Sequence, residues 1–324
     1  MDVAAWLRGL GFEEYEPAFR DNRVDAEVLP DLTEAHLASL GLPLGPRLKL
    51  LKAIAALREG AVEQPSEVRA PRAEAERRQL TVMFCDLVGS TALSARLDPE
   101  DLRAVIGAYH RCCAAVIERS GGFVAKYMGD GVLAFFGAPH EQPDQADRAV
   151  AAALGIDAFA QQFSAERKAR GIDFGHSRIG VHTGIAMVGN IGSRSRLKYA
   201  AQGDTLNTGS RLEGLNKAIG TRISVSGETV RHTRRHRFRP VGAFVVKGRH
   251  GAIDIFEPLA AERYDPAMIA RYDTAFGTLV AGEPGATAAF AALRRDYPDD
   301  PCIAFHCSRL AAGDTGALIV MAEK

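Results

Sequence analysis

The chain has 324 residues, enough for two or three domains, and its 40 basic residues balance 40 acidic ones. A formal net charge of zero excludes the strongly basic surface of a protein that binds nucleic acid or an anionic membrane. No signal peptide opens the sequence, no apolar stretch approaches the roughly 20 residues of a membrane helix, and the five cysteines lack zinc or redox spacing. We therefore expect a soluble, cytoplasmic protein with reduced thiols and neither a nucleic-acid nor a membrane partner.

Residues 1–60 predict a small all-α domain, because leucine and alanine recur at helical spacing towards its end. Thr33 and Gly41 have the sequence context of a helix cap and a helix terminator. The segment resembles a sterile alpha motif (SAM) domain in the series Trp6-Leu7, Leu10-Gly11-Phe12, Tyr15, Phe19, Leu32-Thr33-Glu34, Leu40-Gly41-Leu42 and Gly45-Pro46-Arg47-Leu48. This resemblance implies a five-helix bundle that self-associates or binds a protein partner. The alternative is a helical cap packed on the next domain.

Residues 61–78 predict a linker, because Glu, Arg, Ala and Pro dominate and little in the segment can be buried. Its charged end, residues 74–78, predicts a short helix that leads into the first strand of the next domain.

Residues 79–258 alternate strand and helix patterns and predict a ferredoxin-like α+β sandwich. The first strand ends at Asp86, and Gly129-Asp130-Gly131 joins strands 123–128 and 132–136 in a hairpin. A central strand begins at Arg178 and is expected to end at Gly184. The remaining predicted elements are helices 102–117, 144–170 and 205–215 and strands near Lys198, Ile223, Phe238 and Ala252.

Residues 259–324 predict a short helical tail, in which two apolar helices resemble a lone tetratricopeptide-type hairpin. One such hairpin buries little surface by itself, so we expect it to dock on the domain before it or on a partner.

Two carboxylates are predicted to meet at one edge of the sheet, since Asp86 ends one strand and Asp130 lies in the hairpin turn. Paired carboxylate oxygens suit Mg²⁺ or Mn²⁺, and these ions commonly accompany phosphate substrates. The small residues Gly89, Ser90 and Thr91 lead from the first strand into a helix, so their amide groups can face phosphate oxygens.

The central segment resembles a class III nucleotidyl cyclase over roughly 180 residues. The residues that carry the resemblance are Asp86, Lys126, Asp130, Asn207, Arg211 and the run Val245-Val246-Lys247-Gly248. The resemblance implies that a ribose 3′-hydroxyl attacks the α-phosphate of the same nucleotide and expels pyrophosphate. It also implies two Mg²⁺ or Mn²⁺ ions per site, held by Asp86, Asp130 and the carbonyl of Leu87, with Arg178 on the phosphates.

The resemblance assigns further roles to residues of a second subunit. Asn207 would orient the ribose, Arg211 would stabilise the transition state and Lys247 would contact the phosphates. Lys126 would come from the same second subunit. Because one chain contains both sets of residues, it implies a head-to-tail homodimer with two equivalent sites and an inactive monomer. The SAM-like unit would raise the local concentration of the cyclase domains or set their orientation.

The residues at the base-recognition positions favour ATP, with one departure from the family pattern. An ammonium group at Lys126 can donate to adenine N1, whereas guanine presents a donor there. Adenylyl cyclases usually have Asp or Thr directly after Tyr199, but this chain has Ala200, which cannot accept a hydrogen bond. One lost hydrogen bond is worth about 1 kcal/mol, so we expect weaker base discrimination or a raised KM.

Adenylate cyclase is therefore the function that the sequence predicts. One alternative is a guanylate cyclase, which Lys126 disfavours. The other is a degenerate, nucleotide-binding domain in a scaffold assembled by residues 1–60, and only Ala200 supports it. His182 receives no role, because its position within a strand is typical of a core residue.

Overall fold

The computed structural model describes residues 3–22, 24–26, 28–61, 75–169, 171–172, 174–193, 196–245, 251–260 and 264–320. The chain divides into two compact units, Met1–Pro71 and Arg72–Lys324. Lys247 and most of the predicted linker lie outside the described residues.

The first unit is helical, as predicted. Its described residues form α1 (Val3–Gly9), α2 (Glu16–Asp21), α3 (Glu34–Ser39) and α4 (Leu44–Ala61), with single 3₁₀ turns at Glu13–Tyr15 and Leu29–Asp31. These are four α-helices and two short turns where five helices were expected. The buried core includes Leu7, Phe19, Leu37, Leu50 and Ile54.

The predicted cap and terminator of α3 are confirmed. The Thr33 hydroxyl accepts the amide of His36, and the imidazole of His36 accepts the amide of Thr33, each at 3.3 Å. Gly41 has a φ of 83°, which suits glycine at the end of a helix.

Nine strands form one sheet in the described residues of the second unit. The strand order is β2-β3-β1-β4-β6-β8-β7-β9, and β5 pairs with β4 off this path. The strands are β1 (Glu76–Leu87), β2 (Phe123–Met128), β3 (Gly131–Phe136), β4 (Ser177–Ser193), β5 (Arg196–Gln202), β6 (Ile223–Ser226), β7 (Arg237–Val245), β8 (Ala252–Leu259) and β9 (Leu318–Val320). Together with the helices they confirm a mixed α+β fold.

The helices of the second unit cover both faces of the sheet. They are α5 (Ser90–Ser94), α6 (Pro99–Arg119), α7 (Gln145–Lys168), α8 (Asp204–Ile219), α9 (Gly227–Arg231), α10 (Pro266–Val280), α11 (Ala286–Asp296) and α12 (Pro301–Ala311). Alternate residues of β1 point to opposite faces. Met83 and Cys85 pack with Tyr109 of α6, whereas Leu80 and Val82 belong to the cluster that includes Leu206 of α8.

Two strands are longer than the sequence predicted. β1 begins at Glu76, so the charged residues before Gln79 are strand rather than helix, because Glu76 pairs with Val188 of β4. β4 does not end at Gly184, because its second half pairs with β5 and extends to Ser193.

The C-terminal segment contains more elements than the two helices that the sequence predicted. The described residues contain a third helix, α12, and a strand, β9, which pairs in parallel with β7. Helices α10, α11 and α12 share one core with α8, β7 and β8, and this confirms docking on the preceding domain. Among the described residues, no helix is long and apolar enough to cross a membrane.

Candidate functional site

Asp86 and Asp130 are brought together by β1 and its neighbour β3. Asp86 pairs with Arg178 of β4 on one side, while the preceding residue, Cys85, pairs with Val132 of β3 on the other. Asp130 lies in the turn between β2 and β3. A Cβ atom at Gly131 would lie 3.2 Å from the Cys85 carbonyl oxygen and 3.4 Å from Oδ1 of Asp86, so glycine permits this close approach.

The two carboxylates repel each other. Burial raises the pKa of the Asp86 carboxyl, and the negative charge of Asp130 raises it further, while Arg178 acts in the opposite direction. Oδ2 of Asp130 is buried without a hydrogen-bond partner among the described residues. A hard divalent cation would compensate both features, so these residues fit Mg²⁺ or Mn²⁺.

The carboxylates supply only part of a coordination shell. No group of three or more His, Cys, Asp or Glu residues in the described ranges is arranged to hold a metal ion. The remaining ligands would be waters and phosphate oxygens, which is the usual environment of protein-bound Mg²⁺. The carbonyl of Leu87, the last residue of β1, stays a predicted ligand.

Arg178 lies between two acidic side chains, and one of them was not predicted from the sequence. Its Nη2 atom is 3.4 Å from Oδ2 of Asp86, and its Nε atom is 3.0 Å from Oε1 of Glu213 on α8. Burial raises the pKa of Glu213, Arg178 acts in the opposite direction, and the charges of Asp86 and Asp130 raise the pKa further. The site residue that sequence reasoning missed is therefore Glu213.

The predicted phosphate loop follows the metal-site strand directly. Gly89 has a φ of 83°, and α5 begins at Ser90, with Thr91 in its first turn. The amide of Val88 donates to the carbonyl of His176 at 2.9 Å, which ties the loop to the residues before β4. The loop thus lies beside the strand that carries Arg178.

Asn207 and Arg211 both lie on α8, one turn apart, as predicted. Nη1 of Arg211 is buried without a hydrogen-bond partner, and within the part of the chain that the structure describes Arg211 forms no ion pair with Asp86 or Asp130. Glu213 follows Arg211 by two positions, which on a helix separates the two side chains by roughly 200°. Helix α8 therefore presents Glu213 and Arg211 in different directions.

The predicted base-recognition residues lie on β2 and β5. Lys126 is exposed on β2, just after an irregularity in the pairing with β3. Ala200 lies on β5 opposite Gly189 of β4. The rings of Phe123 on β2 and Tyr199 on β5 meet edge to face at 5.8 Å, so the two strands are in contact through these side chains.

A sheet edge that carries paired carboxylates beside an arginine and a glycine-containing loop has the groups that a divalent cation and phosphate oxygens would require. Comparison with known families agrees with this. The adenylate and guanylate cyclase catalytic domain matches residues 73–256, and the SAM (sterile alpha motif) domain matches residues 1–58. The chain belongs to the adenylate and guanylate cyclase catalytic-domain family, and its N-terminal unit is a SAM domain.

Two curated adenylate cyclases are similar to this chain. Adenylate cyclase 1 of Rhizobium meliloti (strain 1021) is 36% identical over 188 residues, which are 58% of this chain and 28% of that protein. The adenylate cyclase of Anabaena cylindrica is 32% identical over 191 residues, 56% of this chain and 37% of that protein. The chain thus spans about a third of the length of these relatives.

Solved cyclase structures have the same fold. The adenylyl cyclase CyaB from P. aeruginosa is 30% identical, with a TM-score of 0.55 over 59% of this chain and 98% of that one. The guanylyl cyclase Cya2 is 32% identical, with a TM-score of 0.54 over 60% of this chain and 98% of that one.

Proposed function

We propose that the protein is an adenylate cyclase that converts ATP to 3′,5′-cyclic AMP and pyrophosphate at a homodimer interface. One observation carries the proposal. Asp86 and Asp130, whose Oδ2 atom is buried without a hydrogen-bond partner among the described residues, lie together at one edge of the sheet, beside Arg178. Two Mg²⁺ or Mn²⁺ ions bound there would activate the attacking hydroxyl and neutralise charge on the leaving group.

The protein's own residues would position the nucleotide rather than react with it. The ribose 3′-oxygen forms a bond to the α-phosphorus. The bond between the α-phosphorus and the oxygen that bridges to the β-phosphate breaks, pyrophosphate leaves, and the hydroxyl proton passes to solvent. Arg178 and the amides of Gly89, Ser90 and Thr91 would hold the β- and γ-phosphates. Lys247, from the partner subunit, would contact the same phosphates.

The second half of the site would come from another copy of the chain. Arg211 has a buried, unpartnered Nη1 atom and no ion pair with the carboxylates of its own described chain. Apolar side chains on β2 and β4 are exposed, including Tyr127, Met128, Ile185 and Met187. A head-to-tail dimer through this surface would bring Asn207 and Arg211 of one subunit to the carboxylates of the other.

ATP is the proposed substrate because Lys126 can donate to adenine N1. GTP is the second candidate, since the guanylyl cyclase Cya2 is as similar in sequence as the adenylate cyclases and Ala200 offers no acceptor. Replacing Ala200→Thr supplies an acceptor. We expect the ratio of kcat/KM for ATP over GTP to rise about fivefold, and an unchanged ratio would exclude Ala200 from the base pocket.

The presence of both aspartates, Asn207 and Arg211 argues against a degenerate domain. The experiment is a turnover assay of the purified full chain with Mn²⁺ and either ATP or GTP, with the products identified by chromatography. We expect cyclic AMP to exceed cyclic GMP and Asp130→Ala to form neither. Cyclic GMP as the main product would support the second candidate, and no cyclic product from the unaltered chain would contradict a cyclase.

For the SAM domain we propose self-association that concentrates the cyclase domains. Deletion of residues 1–60 should leave turnover intact at high protein concentration and lower it on dilution. Sedimentation that is identical with and without this segment would contradict self-association and leave a separate protein partner as its ligand.

A further inference from the structure

The guanidinium of Arg178 is shared between two carboxylates that come from different elements. Asp86, on the neighbouring strand, is 3.4 Å away, and Glu213, on α8, is 3.0 Å away. The side chains of Arg178 and Glu213 are only 19% and 17% exposed, so water screens their attraction weakly. Nη2 of Arg178 donates a hydrogen bond to Asp86, whereas Nε of Arg178 and Oε1 of Glu213 have no aligned hydrogen bond, so the contact with Glu213 is an ion pair.

Close backbone packing fixes Glu213 over Arg178. Residues 178 and 180 point to the same face of β4. A Cβ atom at Gly180 would overlap the backbone nitrogen of Glu213 and lie 2.5 Å from the carbonyl oxygen of Gly209. A Cβ atom at Gly209 would lie 2.7 Å from Cγ2 of Val82 on β1. These glycines let α8 rest directly on the sheet, which places the backbone of Glu213 within reach of Arg178.

The charges in this cluster do not balance. Asp86, Asp130 and Glu213 act on one another electrostatically, and Arg178 is the cation that contacts two of them. Without Glu213, the full attraction of the guanidinium would fall on Asp86 and Asp130. It would then compete with a metal ion for their oxygens and would no longer be available to phosphate.

We propose that Glu213 is a positioning residue that shares the guanidinium of Arg178 with Asp86 and so weakens its attraction to Asp86 and Asp130, which leaves the two aspartates available to cations and the guanidinium to phosphate. This inference rests on the proposed function, because it concerns the same metal site. It assigns to α8 a role at the site of its own subunit, besides the role that Asn207 and Arg211 would have at the partner's site.

The test is Mn²⁺ binding to the nucleotide-free full chain, followed by electron paramagnetic resonance of the free ion. Glu213→Gln keeps the size of the side chain and removes its charge. We expect it to raise the Kd for Mn²⁺ about tenfold. The matched control is Glu228→Gln, which removes the same charge from a side chain paired with Arg231 and His232 on α9. The control should keep the wild-type Kd, and an equal Kd for Glu213→Gln would overturn the proposal.

A double-mutant cycle separates positioning from the simple loss of a negative charge. If Glu213 acts through Arg178, then Glu213→Gln should have no effect on Mn²⁺ affinity in an Arg178→Gln background. The same tenfold loss in that background would show that the glutamate acts by its own charge and would contradict the proposal. If Glu213→Gln does not fold, Glu213→Asp keeps the charge but withdraws it from Arg178, and a wild-type Kd for that variant would also contradict it.

The binding assay also distinguishes this inference from the proposed function. Wild-type protein that binds Mn²⁺ no better than Asp130→Ala would contradict the metal site itself. Wild-type protein that binds Mn²⁺ through Asp130 but is insensitive to Glu213→Gln would contradict only the role of Glu213.

Discussion

Two arginines of the second unit lie between pairs of carboxylates, and their surroundings differ. Arg178 is 19% exposed, contacts Asp86 and Glu213 and has the charge of Asp130 nearby. Arg239 is completely buried and forms hydrogen bonds of 2.7 Å with both Glu257 and Asp300. The aromatic rings of Tyr264 and Tyr272 lie 5.0 and 5.1 Å from its guanidinium, and the Tyr264 hydroxyl also donates to Glu257.

This difference indicates that the Arg178 cluster is suited to bind a ligand, whereas the Arg239 cluster stabilises the fold. The Arg178 cluster has three carboxylates for one cation among the described residues, so its excess negative charge suits a further cation. The Arg239 cluster joins β7, β8 and the start of α12 through aligned hydrogen bonds. It therefore fastens the C-terminal helices to the sheet, and those helices share a core with α8.

The largest effect on stability is expected from Arg239→Met. This change leaves two buried carboxylates without their cation and should lower the free energy of unfolding by about 3–5 kcal/mol. Arg178→Met should lower it by less, because the Arg178 cluster is partly exposed and water can reach the carboxylates left behind. Urea unfolding followed by circular dichroism measures both. Equal losses would remove the distinction between the two clusters.

The second-largest expected effect is a loss of folding stability at acidic pH, caused by the buried His306 near the Arg239 cluster. His306 is buried against Phe290 and 3.1 Å from the Tyr272 hydroxyl, and burial, with the charges of Arg309 and Arg239, lowers its pKa to about 3. A folded-state pKa below the unfolded value of about 6.5 gives stability that is complete above about pH 6.5 and is lost as the pH falls towards 3.

At pH 5 this linkage should lower the free energy of unfolding by about 2 kcal/mol relative to pH 7. His306→Phe removes the titrating group, so the fall between pH 7 and pH 5 should be about 2 kcal/mol smaller in this variant. Urea unfolding at the two pH values measures the difference. Identical falls in the two proteins would mean that His306 takes up no proton on unfolding.

The smallest expected effect is the change in stability when one aspartate of each cluster is replaced by asparagine. The two changes have opposite signs. The raised pKa of Asp86 means that folding disfavours its charged form, so Asp86→Asn should stabilise the metal-free protein at pH 7 by about 0.5 kcal/mol after solvent screening. Asp300→Asn, in contrast, removes a partner of Arg239 and should destabilise the protein.

Thermal unfolding in a chelator compares these two variants with the wild type. Added Mn²⁺ should raise the melting temperature of the wild type and not that of Asp86→Asn. A metal-free Asp86→Asn protein that is less stable than the wild type would contradict electrostatic strain at the candidate site.

Local sequence rules predicted much of the fold. Thr33 and Gly41 define the ends of α3 as expected, and the Asp-Gly turn places Asp130 in a hairpin. These features depend on neighbouring residues. The three residues of β9 could not be predicted, because their pairing with β7 joins segments more than 70 positions apart. The helix predicted for the charged residues 74–78 was wrong, because residues 76–78 form a strand through their pairing with β4.

The candidate site was predicted in part for the same reason. Asp86 lies at the end of a strand and Asp130 in a hairpin turn, so their meeting followed from the strand pattern, whereas Arg178 was placed at the site by the family resemblance. Glu213 has the sequence context of an exposed helix residue, and only the glycine-mediated approach of α8 buries it. Arg239 is similar, because its burial depends on Asp300, which is distant in sequence.

The dimeric site is tested most directly by mixing two inactive variants. Asp130→Ala removes a carboxylate from one half-site, and Arg211→Ala removes the cation from the other. Each variant alone should form no cyclic AMP. An equimolar mixture should recover about a quarter of the wild-type rate, because half of the dimers are mixed and each has one intact site. A mixture that forms mixed dimers and yet stays inactive would contradict a site shared between two subunits.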